Sequence, residues 1–314
     1  MKWRRTKSKD VIDIRGASKG SSSGGSTAGL PGGLGGLAGG GGIVGVIVFL
    51  LITFIGGGDG EGGGIQLPGG IELPPGLEDL GFGSAAAPGA EDPAPIPPEE
   101  DPQRDLKDFS TYVFEDSQQT WQAIFADSDQ SYDNAQLILY SGRVQTEGCG
   151  GASSAVGPFY CPADRRIYLD LSFYEEMDRQ LGAEGDFAWA YVIAHEMGHH
   201  VQTLTGTSDE VARAGNQDPG ARNELSVRQE LQADCYSGVW GATIYEQGDL
   251  EDGDLDEAFT AAEAVGDDTL QENAGRSVNT DSFTHGSSEQ RREWFKRGFE
   301  SGDPTQCDTF SAEI

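Results

Sequence analysis

FAWAYVIAHEMGHHVQTL, residues 187–204, is the stretch on which the reading of this chain turns. Apolar nearly all round, it suits a helix through the middle of a domain, with Asp186 as N-cap and Gly206 as its stop. It contains His195-Glu196-Met197-Gly198-His199, the pattern His-Glu-x-x-His. Residues four apart share a helix face, so His195 and His199 can grip one metal ion. Glu196 then stands beside the ion, placed to take a proton from a bound water. The bland alternative is a buried helix whose imidazoles hydrogen-bond locally. Gly198 leaves room for another backbone or a substrate. His200, about 100° around the helix from His199, borders the site or is exposed.

Further along comes Glu230-Leu231-Gln232-Ala233-Asp234, inside a helix expected over residues 221–246. Glu230 and Asp234 lie one turn apart, so both can face the metal helix. Glu230 is the expected third ligand, with Glu224 as a rival that lacks the companion Asp. Asp234 is placed to accept the second ring N–H of a ligand histidine, which would fix its tautomer. The competing reading of Asp234 is a surface salt bridge with Arg228. Two imidazoles and one carboxylate leave a fourth position open to water, the arrangement of a hydrolytic Zn2+ site rather than a closed structural one. His285, just before a last helix with Ser287 or Ser288 as cap, is either a donor to the oxyanion of a tetrahedral intermediate or a structural histidine.

The front of the chain is not globular in composition. The first ninety residues hold 27 of the 47 glycines, and nine of the 14 prolines fall between Pro68 and Pro102. Residues 43–55, IVGVIVFLLITFI, extended by the approach from 34, read as one membrane span. Seven basic residues precede it against two acids, which predicts a cytoplasmic N-terminus and a catalytic domain on the far side of the membrane. A cleaved signal peptide is the alternative, but no clean small-x-small site follows the apolar run. The expected organisation is a cytoplasmic basic and Gly/Ser-rich segment over 1–33, a transmembrane helix over 34–55, a disordered Gly/Pro/acidic linker over 56–105, and a domain over 106–314.

Net charge is −31, and −36 beyond residue 19, which argues against a nucleic-acid partner. Cys149, Cys161, Cys235 and Cys307 contain no Cys-x-x-Cys and suit an exported domain with two disulfides. Three pairings are possible; Cys149–Cys161 with Cys235–Cys307 is the expected one. Residues 108–125 have helical spacing, while 135–140 and 165–171 read as strands of a small antiparallel sheet. The strand at 167–171, closest in sequence to the metal helix, is the candidate to pair with an extended peptide. The fold class expected is α+β, mainly helical with that small sheet.

Four stretches together carry a resemblance: Gly157-Pro158-Phe159-Tyr160-Cys161-Pro162, His195 to Gln202, Glu230 to Cys235, and His285-Gly286-Ser287-Ser288-Glu289-Gln290-Arg291. In these the chain resembles the bacterial putative neutral zinc metallopeptidase family, itself similar to the Glu-zincins. The resemblance implies a zincin-like domain, His195, His199 and Glu230 as zinc ligands, Glu196 as general base, and a peptide or protein substrate. A metal-stabilised envelope binding module without turnover and a zinc amidase acting on a non-protein substrate are the alternatives.

Overall fold

The computed structural model describes residues 1–16 and 95–314. The expected span at 34–55 and most of the expected linker lie outside the described residues. Among the described residues no helix is long and apolar enough to cross a membrane.

In chain order the elements are β1 (Val11–Asp13), α1 (Arg104–Asp127), β2 (Gln136–Tyr140), β3 (Arg143–Gln145), β4 (Gly151–Ser153), β5 (Phe159–Cys161), β6 (Arg166–Asp170) and α2 (Phe173–Glu176). There follow α3 (Asp186–Thr205), α4 (Thr207–Gln217), α5 (Arg222–Gln247), α6 (Asp254–Ala264), α7 (Asp267–Asn273) and α8 (Ser288–Ser301). The domain is mainly helical with a small sheet.

The sheet runs β1-β2-β6-β5, with β3 and β4 forming a separate hairpin. It is mixed, and this corrects the expectation of an antiparallel sheet. β2 and β6 pair in parallel, Leu137 opposite Ile167, and only β5 runs antiparallel to β6, with Tyr160 opposite Ile167. The chain between β2 and β6 passes through the hairpin and then β5, so β6 re-enters the sheet in the direction of β2. Residues at β2 and β6 are buried on both faces, which explains why these strands read as near-continuous apolar runs.

α3 is the axis of the helical layer. Phe187, Ala188, Trp189, Ile193, Ala194 and Met197 are fully buried, and α3 packs against α1, α5 and α6. Burial of a large apolar side chain contributes about 1.5–3 kcal/mol, so this helix is held by packing on every side. Its N-cap is Gly185 rather than Asp186, whose side chain has another partner, described below. α5 and α8 approach closely because glycine sits at the crossing. A Cβ at Gly238 would lie 2.1 Å from the Phe295 carbonyl oxygen, and one at Gly298 would lie 1.9 Å from that of Cys235. Disulfides join Cys149 to Cys161 and Cys235 to Cys307.

The N-terminal arm is part of this domain. β1 pairs in parallel with β2, Val11 opposite Leu137. Trp3 packs edge-on against Phe109. The Met1 ammonium donates to Asp186 at 2.8 Å and to Asp254 at 3.2 Å. Arg15 is buried and makes ion pairs of 2.6 Å with Asp101 and 2.7 Å with Asp13. Residues 1–16, part of the segment expected over 1–33, thus pack on the domain, and α1 begins at Arg104 with Asp101 already buried ahead of it.

Candidate metal centre

α3 presents His195 and His199 one turn apart, their rings 4.8 Å between centroids. Close approach of α5 makes the third corner. A Cβ on Gly198 would come within 3.0 Å of the Ala233 backbone, so glycine lets α5 lie against the histidine face. Glu230 thereby reaches both rings: its Oε2 is 3.1 Å from His195 Nε2, and its Oε1 is 3.5 Å from His199 Nε2. One donor atom from each of the three residues lies within 4.8 Å of the others, and all three side chains are buried.

The partners of the other ring nitrogens define the tautomers. His195 Nδ1 is 2.8 Å from Asp234 Oδ1, an acceptor once ionised. His199 Nδ1 is 2.9 Å from Gln202 Oε1, and the Gln202 amide is oriented by donating from Nε2 to the Gln229 carbonyl at 2.7 Å. Both rings therefore donate from Nδ1 and turn Nε2 toward Glu230, where each can offer a lone pair once that nitrogen is unprotonated. Two Nε2 atoms and a carboxylate converging in a buried space suit a cation. In the metal-free protein His195 is pulled two ways: burial lowers its pKa, and Asp234 and Glu230 outweigh that to raise it to about 9. Burial by contrast would raise Glu230, but His199 and His195 beside it hold it well below the usual carboxylate range.

Glu196 is buried beside the cluster, and burial pushes its carboxyl up. Its Oε2 has no hydrogen-bond partner among the described residues. A buried oxygen of that kind costs about 1–3 kcal/mol unless something meets it, which suits a water held at the open position of a three-ligand site. The nitrogen and oxygen donors, their number and this orphaned oxygen all fit zinc.

His285 lies in the turn between α7 and α8, close enough to Glu230 for a positive charge on its ring to favour the ionised carboxylate. Asp267, unforeseen in the sequence, holds it. Asp267 Oδ2 accepts from the backbone N–H groups of Thr284, His285 and Gly286 at 2.6, 2.7 and 3.1 Å, and Oδ1 lies 3.2 Å from His285 Nδ1. Gly286 has φ +97°, which favours glycine in this turn. Ser287, not Ser288, caps α8 through a capping box with Gln290.

Asp234 does face the metal helix, and Arg228 pairs instead with Glu224 at 2.9 Å. Glu224 is exposed and outside the cluster, so it is no ligand here. His200 is fully buried but turned toward the sheet, 3.1 Å from the Tyr160 hydroxyl and 2.7 Å from the Asp133 carbonyl. Tyr191 and Arg291 were also missed, and both contact Asp234. Tyr191 had a signal, since it stands one turn before His195 on the same face. A second acidic group is Asp186, Asp254 and Glu257, and the Met1 ammonium lies against Asp186, Asp254 and Glu251 on the arm side.

Two packed helices thus offer two imidazoles, a carboxylate and a second glutamate with one unpartnered oxygen among the described residues, the donor set of an HExxH metal site. The chain belongs to the family described as "putative neutral zinc metallopeptidase", which it matches over residues 1–310. That span includes the N-terminal arm. It is 50% identical over 220 residues, 70% of this chain and 75% of the relative, to "Uncharacterized protein YpfJ" of Escherichia coli strain K12. It is 46% identical over 192 residues, 58% of this chain and 64% of the relative, to "Uncharacterized protein Rv2575" of Mycobacterium tuberculosis strain H37Rv. No solved structure matches the chain.

Proposed function

We propose that this chain is a zinc-dependent peptidase acting on peptide or protein substrates, with His195, His199 and Glu230 as ligands and Glu196 as general base. The observation that carries the reading is the buried, partnerless Oε2 of Glu196 beside a three-donor cluster. Zinc held there supplies Lewis acidity, polarising a water and a substrate carbonyl. Glu196 accepts the proton of the attacking water at its free oxygen and returns it to the leaving amine. Burial that raises the Glu196 pKa favours the protonated form needed for the second transfer. Asp234 and Gln202 hold the ligand rings so that their Nε2 atoms converge. His285 is oriented by Asp267 through Nδ1; its other ring nitrogen, when it carries hydrogen, is the donor that stabilises a developing oxyanion.

β6 lies inside the sheet, between β2 and β5, so the strand expected to bind substrate has no free edge. β5 is an edge strand among the described residues, and Tyr160 joins it to α3 through His200.

The decisive variant is Glu196→Gln. The full chain carrying it should bind zinc as the parent does and lose cleavage of an unstructured protein substrate such as casein. Retained cleavage would remove Glu196 from its role. Zinc bound with no cleavage by the parent of any peptide or amide would favour a binding module. Exported-protein termini present only with the parent chain would identify substrates.

We propose also that the arm and the domain share the extracytoplasmic side; the two disulfides support an oxidising compartment. Lys7 is exposed. Lys7→Cys in intact cells should react with a membrane-impermeant maleimide, and protection until lysis would place the arm in the cytoplasm.

A further inference from the structure

Asp234 accepts four hydrogen bonds beside the cluster. Its Oδ1 accepts from the Tyr191 hydroxyl at 2.6 Å, from His195 Nδ1 at 2.8 Å and from Arg291 Nη2 at 2.9 Å. Its Oδ2 accepts from Arg291 Nε at 2.8 Å. Both carboxylate oxygens are thus engaged, Oδ1 by three donors and Oδ2 by one. The Arg291 fork is the part with directional force. Two parallel N–H groups in a rigid plane dictate the plane of the carboxylate they bind, which a single point charge does not. Rotating Asp234 away from His195 would break the fork. Arg291 is itself anchored: Nη1 donates to the Val265 carbonyl at 3.2 Å, and Nη2 also reaches the Tyr191 hydroxyl at 3.2 Å. It leaves α8 one turn after the Ser287 cap, and α8 is seated on α5 by the glycine crossing.

We infer that Arg291 is a positioning residue for the metal centre, which sets the orientation of His195 by holding Asp234 in one plane. The inference rests on the reading of His195, His199 and Glu230 as zinc ligands. Charge and geometry point the same way. Asp234, Glu230 and Glu196 crowd three buried carboxyl groups into one region, and the Arg291 guanidinium is the buried cation placed among them. A residue there solely to balance charge needs no fork. This arginine presents both Nε and Nη2 to the two oxygens of the same carboxylate. α8 thereby carries two groups to the centre, since His285 lies two residues before its Ser287 cap and Arg291 follows in its first turn. Any movement of α8 on α5 would reach His195 through Asp234 and the substrate side through His285.

The test uses the full chain and zinc affinity by chelator competition, with the visible spectrum of the cobalt-substituted protein as a second readout. Loss of a partner behind a ligand histidine weakens metal binding by about 10–100-fold. Arg291→Met should weaken zinc toward the upper end of that range and shift the cobalt spectrum. Arg291→Lys keeps the charge without the fork; it should fold and still lose about tenfold. Asp234→Asn combined with Arg291→Met should bind no more weakly than the poorer single variant, because both act through one contact. Arg15→Met is the control, a buried arginine in an ion pair on the arm. It should lower the melting temperature without changing zinc affinity or the cobalt spectrum. The inference is overturned if Arg291→Lys binds zinc as the parent does with an unchanged spectrum, or if Arg15→Met weakens zinc as much as Arg291→Met. A parent chain that binds no zinc, or whose zinc survives His195→Ala with His199→Ala, would instead overturn the ligand reading and the Arg291 inference with it.

Discussion

The two histidines of the cluster come from one helix, one turn apart, yet the protein supports them differently. Behind His195 stands a charged group of Asp234, Arg291 and the Tyr191 hydroxyl. Behind His199 stands a chain of neutral amides. Gln202 accepts from the ring and donates to the Gln229 carbonyl and to Gln232 Oε1, and Gln232 donates to the Cys307 carbonyl. The amide chain thus ends at the disulfide that ties α5 to the C-terminal segment. Each side directs one Nε2 lone pair inward, but by different physics. An anion behind an imidazole raises its basicity and strengthens it as a ligand, at the cost of burying charge that must be balanced. An amide fixes the tautomer with little electrostatic effect and adds no charge needing compensation.

The contrast breaks most sharply at Asp234. Asp234→Ala would leave Arg291 buried without its carboxylate, and removing one partner of a buried pair costs about 3–5 kcal/mol. Denaturant unfolding of the metal-free protein would measure this loss, and a change below about 1 kcal/mol would mean the charged side is no keystone.

The same pair carries a pH dependence. The folded pKa of His195 in the metal-free protein is raised from 6.5 to about 9. A raised pKa stabilises fully below the unfolded value and is lost as pH rises through the folded one. Metal-free stability should therefore fall between about pH 6.5 and 9, and Asp234→Asn should flatten that slope. Zinc binding displaces the same proton, so zinc affinity should rise across the same window. A stability that instead rises with pH there would contradict the assignment.

On the neutral side the effects should be smaller. Gln202→Ala removes the acceptor of His199 and two donor bonds, for about 1–3 kcal/mol, with zinc weakened about tenfold. Gln232→Ala, further from the ring, should cost about 1 kcal/mol and leave zinc affinity within a few-fold of the parent. If Gln202→Ala destabilises as much as Asp234→Ala, the distinction between the two sides fails.

Much of this centre was legible because its core is local. His195, Glu196 and His199 follow from helical spacing, and Glu230 with Asp234 from the same spacing on a second apolar helix. The capping box at Ser287 and Gln290 is likewise a short-range pattern. Asp267 was not legible, since an acid in the first turn of a short helix is ordinary and nothing in the spacing ties it to His285. Arg291 stood inside the motif that begins at His285, but only the α5–α8 crossing brings it to Asp234. The contacts of the arm were not legible for a related reason. A run of basic residues ahead of an apolar segment reads as a membrane-orientation signal, yet Arg5 and Arg15 pair with Asp105, Asp108 and Asp101 of the domain. Charge along a chain does not say which opposite charge will meet it.

By itself, then, the sequence determined the helix that carries the metal pattern, the second helix that supplies a carboxylate, and the four cysteines suited to two bridges. These are properties of residues within a turn or two of each other, where backbone geometry leaves little choice. Tertiary structure alone decided that the sheet is mixed, that β6 lies inside it between β2 and β5, that residues 1–16 pack on the domain, and that Arg291 and Asp267 stand behind the centre. Those outcomes depend on which distant faces pack together, and packing is settled by shape and burial summed over the whole chain.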